Sequence, residues 1–217
     1  MENGCTPQFA TSDASWREAW QALGAAAPPG LHARLLAAWS EPQRHYHTLQ
    51  HLDECLALAA ALRERMAHPA EVVLALWFHD AIYDVRAHDN EARSAQWASR
   101  ALGAAGVAPE VRARIDDLIM ATCHGAHAPS PARAAPDRAL LVDIDLAILG
   151  ADEARFAEYE RQIRAEYAWV PEEVFAAKRR AVLRGFHERE RIYSTDAMHA
   201  RFEARARRNL ARALGMD

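Results

Sequence analysis

The feature that most constrains the fold is an uninterrupted apolar run, Val72 to Phe78, followed directly by His79 and Asp80. Pro69 precedes the run and suits the first turn of a helix, so the pattern predicts a helix from about Ala70 to Ala81. A helix that is apolar on every side is expected in the middle of a domain. An ionised Asp at the end of such a helix needs a partner, which makes His79 and Asp80 candidates for a functional site.

Most other segments carry apolar residues at three- and four-residue spacing, which is typical of amphipathic helices, and no segment shows the alternation of a strand. We therefore expect an all-α, single-domain bundle of roughly ten helices. Its organisation is expected to be a flexible tail over 1–12 and one domain over 13–217. Helix starts are predicted at Ser12 or Asp13, Thr48, Pro69, Asn90, Pro109, Asp137, Asp152, Pro171 and Thr195. The helix that starts at Asp137 is expected to end at about Leu149, and a mobile loop is expected over Gly125–Pro136.

Composition and charge exclude several classes of protein. The net charge of -4 lacks the basic excess of a nucleic-acid-binding protein, and no apolar run reaches the ~18 residues that a membrane span needs. The first residues do not form a signal peptide, and three widely spaced cysteines indicate no disulfide framework, so a cytoplasmic location is expected. A homodimer is left open, because the helix that carries Trp16 and Trp20 could bury itself on a neighbour or on its own core.

A second polar interruption lies in the apolar segment Leu140–Leu149, which contains Asp143 and Asp145. A metal ion would account for two carboxylates in such a segment. The alternative is that one Asp faces solvent and the other pairs with an Arg.

Two histidine clusters are further candidates. His45, His47 and His51 lie within seven positions of one another, and His47 and His51 could share a helix face. His124 and His127 follow the sixth predicted helix, where they could be metal ligands or phosphate contacts. A histidine in either place could instead be a hydrogen-bonded structural residue or interact with the carbonyl groups at a helix end.

The order of these residues resembles the signature of the HD superfamily of metal-dependent phosphohydrolases. That signature is one His, an adjacent His-Asp pair and a distant Asp. The strings that carry the resemblance are His45–Leu52, Trp77–Asp84, Asp89-Asn90-Glu91 and Leu141–Gly150. They are similar to a bacterial branch described as predicted HD-superfamily hydrolases of unassigned substrate, over about Trp16 to Leu210.

The resemblance implies an HD-type all-α bundle with a divalent metal between its helices. By position, the implied ligands are His51, His79, Asp80 and Asp145, with Asp143 as the runner-up for the last place. Imidazole and carboxylate ligands suit Mn, Zn, Ni, Co or Fe, and more oxygen ligands would favour Mg. One metal is expected, and a second one is left open.

The activity implied by the resemblance is hydrolysis of a small phosphate ester by metal-activated water, with a nucleotide as the leading substrate. Asp80 would hold the ion and the water, and Asp84 or Glu91 would act as the acid or base. The structural alternatives are a turn-forming Asp84 and a Glu91 that complements a helix dipole. The expected substrate contacts are Arg44, His45, His47, His124 and Lys178.

Two other classes of function remain open at this point. One is an HD-type di-iron oxygenase, which would need further histidine ligands such as His124. The other is a non-catalytic, metal-containing ligand-binding module.

Overall fold

The computed structural model describes residues 8–123 and 136–216, and within these ranges the chain is all-helical. Ten α-helices and two 3₁₀-helices are present there, without a strand, so the predicted all-α class and the approximate helix count are confirmed. The α-helices are α1 Gln8–Ala22, α2 Leu31–Trp39, α3 Leu49–Ala61, α4 Pro69–Phe78, α5 Asn90–Ala104, α6 Pro109–Met120, α7 Pro136–Asp145, α8 Glu153–Glu166, α9 Glu172–His187 and α10 Asp196–Leu214. The 3₁₀-helices are Arg63–Arg65 and Leu146–Gly150.

The predicted mobile loop lies outside the described residues up to residue 135, and its last residue, Pro136, begins α7. Contacts between Cα atoms divide the chain into two compact units, Met1–Leu141 and Val142–Asp217. Each unit is considered by itself below. No helix in the described ranges combines the length and the apolar character that crossing a lipid bilayer requires.

Several predicted helix starts agree with the structure for the expected reason. The side chain of Thr48 accepts a hydrogen bond from the amide of Gln50, as an N-cap of α3 does, and Asp152 caps α8 by accepting from Arg155. Helix α1 differs, because it begins at Gln8 rather than at Ser12 or Asp13.

Two helices end earlier than predicted. Helix α4 ends at Phe78 instead of Ala81, because the side chains of Arg44 and Ser94 bind the main chain that follows it. Helix α7 ends at Asp145 instead of Leu149, and a 3₁₀-helix continues from it to Gly150.

Helix α4 is the centre of the first unit, as the apolar run predicts. It contacts α1, α3, α5 and α6, and the side chains of Leu74, Leu76, Trp77 and Phe78 are completely buried. Burial of one such side chain contributes about 1.5–3 kcal/mol, so α4 is a major source of the stability of this unit.

The tryptophans of α1 belong to the same core. Trp16 and Trp20 are both buried, and the ring of Trp16 lies 5.2 Å from those of His32 and Trp77. Of the two alternatives for this helix, the structure therefore supports burial on its own core.

In the second unit, α10 packs against α9 and against the 3₁₀-helix that follows Asp145. A Cβ atom on Gly150 would lie 2.8 Å from two atoms of Phe202, so only glycine fits there. The side chain of Asn209 donates hydrogen bonds to the carbonyls of Leu149 and Ala151. These contacts fix the chain segment that begins immediately after Asp145.

Candidate metal centre

Three predicted ligands from two helices meet in the first unit. His51 lies in the first turn of α3, whereas His79 and Asp80 directly follow the last residue of α4. The two Nε2 atoms of His51 and His79 are 3.2 Å apart. The Oδ2 atom of Asp80 lies 3.1 Å from Nε2 of His79 and 3.9 Å from Nε2 of His51. The convergence expected from the sequence is therefore present for these three side chains.

The spacing of the two imidazoles fits joint binding of one ion. Zinc binds imidazole nitrogen at about 2.0–2.1 Å, so two such ligands at tetrahedral angles lie roughly 3.3 Å apart. The observed 3.2 Å between the Nε2 atoms of His51 and His79 is close to this value. Both imidazoles are buried, and the side chain of Asp80 is 15% exposed, so the carboxylate is the most solvent-accessible of the three groups.

The main chain of α4 fixes the tautomer of His79. Its Nδ1 atom lies 2.7 Å from the carbonyl oxygen of Leu76, and a carbonyl can only accept a hydrogen bond. Nδ1 therefore carries a proton, and in the neutral imidazole Nε2 has a lone pair. That lone pair lies 3.1 Å from the carboxylate of Asp80 and 3.2 Å from Nε2 of His51, a group of acceptors that suits a cation among them.

His51 is oriented by neighbours on its other side. Its Nδ1 atom lies 3.1 Å from the hydroxyl of Tyr46 and 3.7 Å from the thiol sulfur of Cys55, which is buried one turn later in α3. If both Nε2 atoms held an ion, Nδ1 of the neutral His51 would carry the proton and would donate to the hydroxyl of Tyr46. Such a second hydrogen bond typically orients a metal-binding histidine and raises its basicity.

Arg44 joins the two chain segments that carry the ligands. Its guanidinium donates to the carbonyl of Asp80 at 2.7 Å, to that of Ala81 at 3.1 Å and to that of His47 at 3.2 Å. It also forms an ion pair with Glu41, and the side chain of Arg44 is 0% exposed. In this arrangement Arg44 holds the loop before His51 against the turn that contains Asp80. Its predicted role as a substrate contact stays a prediction, and its geometry is that of a structural clamp.

Aromatic rings surround this clamp and the imidazoles. The guanidinium of Arg44 lies 5.7 Å from the ring of Trp39 and 5.4 Å from that of Tyr83. Trp39 is completely buried, and its ring lies 5.4 Å from the imidazole of His79. One side of the candidate centre is therefore closed by apolar surface, which strengthens electrostatic interactions there.

The predicted acid–base residues lie in different settings. Asp84 is exposed in the turn after α4, where Oδ1 accepts from the amide of Arg86 and the main chain is hydrogen-bonded to the side chain of Asn90. These contacts are those of a turn-forming Asp, which was the structural alternative. Glu91 lies in the first turn of α5 and is half-buried. A catalytic role of either carboxylate stays a prediction.

The predicted substrate contacts are dispersed. The imidazole of His47 is half-buried and stacks on the ring of Tyr83 at 4.0 Å, close to the first-unit ligands, whereas His45 is exposed. Lys178 is exposed on α9 in the second unit. His124 and His127 lie outside the described residues.

The structure separates the two carboxylates of α7. Asp143 is buried, and its two oxygens accept four hydrogen bonds, from the amides and the hydroxyls of Ser194 and Thr195. It therefore holds the start of α10, and its oxygens already have four donors. Neither solvent exposure nor an arginine partner, the alternatives drawn from the sequence, describes it.

Asp145 is half-buried in the last turn of α7. Its predicted role as a metal ligand stays a prediction. Of the two candidates for the distant Asp, Asp145 is thus the better one, because Asp143 has a structural role.

The sequence did not single out two residues near these candidates. Tyr46 lies inside the histidine-rich string, and its contact with His51 becomes visible only once α3 is placed.

Arg179 belongs to the basic run from which Lys178 was chosen, but the side chain of Arg179 is the one that is largely buried. Its guanidinium lies 4.8 Å from the ring of Tyr159 and forms an ion pair with Glu160. Burial raises the pKa of Tyr159.

Comparison with known proteins gives no relative for this chain. It matches no protein-family model, no curated protein and no solved structure.

Proposed function

We propose that this protein is a metal-dependent phosphohydrolase of the HD type that acts in the cytoplasm on a small phosphate ester. His51, His79 and Asp80 would hold the divalent ion, and Asp145 is proposed as a further ligand. The observation that carries the metal site is the convergence of two imidazole nitrogens and one carboxylate oxygen, with the tautomer of His79 fixed by Leu76.

The residues present fit a divalent ion of the borderline class. Two imidazoles and one or two carboxylates suit Mn, Fe, Co, Ni or Zn, and Mg would need more oxygen ligands. When bound, such an ion acts as a Lewis acid toward a phosphoryl oxygen and lowers the pKa of water.

The protein's own residues prepare the site for this chemistry. The carbonyl of Leu76 and the hydroxyl of Tyr46 orient the two imidazoles, and Arg44 holds the turn of Asp80 in place. Asp84 is the proposed group that exchanges a proton with the reacting water or leaving group, because it lies four residues beyond Asp80 and is exposed to solvent.

The proposal of phosphate ester hydrolysis is supported by the order of the candidate ligands in the sequence, and no substrate is identified. A His, a His-Asp pair and a distant Asp, in strings similar to those of HD-superfamily hydrolases, favour phosphate ester hydrolysis over other metal chemistry. Resemblance is an argument by analogy, so the activity has to be measured.

The test is phosphate release from a panel of mononucleotides and other phosphomonoesters, with Mn, Co, Ni or Mg added to protein purified without metal-affinity steps. We expect metal-dependent release that disappears in the double variant His79→Ala/Asp80→Ala and persists in Asp116→Asn, which alters an exposed carboxylate of α6.

Three other outcomes would contradict the proposal. Phosphate release that survives the double variant would refute the site. Oxygen consumption with iron, without phosphate release, would identify an oxygenase instead. Metal binding that is lost in the double variant, without turnover of any substrate, would indicate a non-catalytic module.

A further inference from the structure

Helices α1, α3 and α4 of the first unit pack against one another and enclose a cavity of about 110 Å³. The inner wall of the cavity consists of apolar side chains from all three helices, namely Ala19, Leu56, Ala59 and Val73. Ala19, Leu56 and Ala59 are at most 3% exposed, so this part of the cavity lies in the core. Protein interiors are close-packed and contain few voids larger than a water molecule, so a cavity of this size is unusual there.

The mouth of the cavity carries two charges of opposite sign. Glu18 of α1 and Arg63, the first residue of the 3₁₀-helix after α3, both line the cavity and are both exposed. Neither side chain forms an ion pair within the part of the chain that the structure describes. Ala22 and Ala60 also line the cavity and are exposed, so it opens to solvent at this end. The cavity therefore combines an apolar interior with one carboxylate and one guanidinium at its entrance.

The volume and the apolar wall define the part of a ligand that fits inside. An engineered protein cavity of about 150 Å³ with aliphatic and aromatic walls stays dry and binds benzene. A cavity of about 110 Å³ is somewhat smaller and suits a branched alkyl group of about four carbon atoms. Water is a poor occupant of the inner part, because a buried water needs about two to four polar partners and the inner wall is apolar.

The two charges at the mouth define the other part of the ligand. A carboxylate binds an ammonium group, and a guanidinium binds a carboxylate through two parallel hydrogen bonds. An α-amino acid carries both groups on one carbon atom, and its side chain extends away from them. We propose that this cavity binds a free aliphatic amino acid such as leucine, with the ammonium group at Glu18, the carboxylate at Arg63 and the alkyl side chain in the apolar interior.

This binding site is separate from the candidate metal centre. None of the residues His51, His79 and Asp80 lines the cavity, although α3 and α4 take part in both sites. Helix α3 carries His51 in its first turn and Ala59 about two turns later, and α4 carries Val73 and ends immediately before His79. The inference does not rest on the proposed enzymatic function, and its test needs neither metal nor substrate.

The experiment is isothermal titration calorimetry of the full chain with L-leucine. We expect one site per chain with a dissociation constant of about 1 mM or below, as is usual for a ligand of this size. Glu18→Gln and Arg63→Gln should each weaken the binding about tenfold, because each removes one charged partner of the ligand. Glu64→Gln and Arg65→Gln alter exposed charges of the same 3₁₀-helix that do not line the cavity, and they are the matched controls.

Two analogues of leucine separate the contributions of the two charges. Isocaproate lacks the ammonium group and isoamylamine lacks the carboxylate, and both keep the alkyl chain. We expect each analogue to bind about tenfold more weakly than leucine. The preference for leucine over isocaproate should disappear in Glu18→Gln, and the preference over isoamylamine should disappear in Arg63→Gln.

Two further variants test whether the ligand occupies the cavity. Ala60→Leu obstructs the mouth at an exposed position, and Ala70→Leu narrows the cavity from the first turn of α4. Both should abolish the binding of leucine, and circular dichroism checks that each variant keeps its fold.

Four results would overturn the inference. One is a wild-type chain that does not bind leucine. Another is leucine binding in Glu18→Gln and Arg63→Gln that is as tight as in the two controls. Equal binding of leucine and isocaproate to the wild-type chain would identify an alkyl carboxylate as the ligand instead of an amino acid. Binding that persists in both Ala60→Leu and Ala70→Leu would place the ligand outside the cavity.

Discussion

The Nδ1 atom of His79 donates a hydrogen bond to the carbonyl oxygen of Leu76 one turn back in α4, at 2.7 Å. This bond leaves Nε2 facing His51 and Asp80, which is the orientation that the proposed metal ligand needs. In the absence of an ion, the same lone pair can accept a hydrogen bond from Nε2–H of His51, and the hydroxyl of Tyr46 can then donate to Nδ1 of His51. Metal binding by both Nε2 atoms would then change the Tyr46 hydroxyl from donor to acceptor.

Tyr46 is accordingly expected to tune metal affinity. Tyr46→Phe removes the hydroxyl 3.1 Å from His51 but keeps the buried ring, so the affinity for Mn or Zn should fall about 10- to 100-fold without a large change in stability. Isothermal titration calorimetry measures the affinity, with Tyr167→Phe in the second unit as a matched control. Unchanged affinity in Tyr46→Phe would show that the hydroxyl has no part in orienting His51.

Arg44 is expected to stabilise the first unit. Arg44→Met removes the donor to three carbonyl groups and the ion pair with Glu41, so the free energy of unfolding should fall by about 2–4 kcal/mol. Arg44→Lys should recover only a part of it, since an ammonium cannot reproduce the planar fork of a guanidinium. Urea unfolding measures the change, and Arg34→Met, at an exposed position of α2, is the control. A loss as small as that of the control would argue against the clamp.

The two aspartates of α7 should behave in opposite ways. Asp143→Asn weakens four hydrogen bonds at the start of α10 and should lower the free energy of unfolding by about 1–3 kcal/mol, with little effect on metal affinity. Asp145→Asn should lower metal affinity with little effect on stability. The pair is tested by urea unfolding and calorimetry, and the reverse pattern would make Asp143 the ligand.

His32 should make the protein sensitive to mild acid. Burial lowers its pKa, an effect that Asp13 partly opposes, so the folded state binds a proton less readily than the unfolded state. The stabilising contribution is thus complete above the unfolded-state pKa of about 6.5 and is lost as the pH falls from that value through the lower pKa of the folded state. His32→Phe keeps an aromatic ring between Trp16 and Trp77 and should reduce the loss of stability between neutral pH and pH ~5. Thermal unfolding at several pH values measures it, and identical pH profiles for both proteins would contradict the assignment.

Most of the helix starts could be predicted from residues that are close together in the sequence. The caps Thr48 and Asp152 accept hydrogen bonds from residues two or three positions away, so a short stretch of sequence is sufficient to predict them. The early end of α4 depends instead on Arg44, which lies 36 positions before Asp80, and no local pattern contains that contact.

The same distinction applies to the candidate site. The apolar setting of His79 and Asp80 was sufficient to select them, because a buried charge needs a partner wherever the chain goes. Asp143 and Asp145 could not be distinguished, since both interrupt the same apolar segment. Only the position of Ser194 and Thr195, some fifty residues later, shows which of the two is already bound. Lys178 and Arg179 could not be distinguished for the same reason.

The clamp formed by Arg44 has a consequence for how the protein would acquire its ion. Its bonds to the loop before His51 and to the turn of Asp80 do not involve the ligand atoms, so they persist whether or not a cation is present. The apoprotein would then stay folded and able to bind an ion, and chelators would remove the ion without denaturing the protein. Loading would follow whichever divalent ion the cell supplies in excess, and one ion could be exchanged for another in solution.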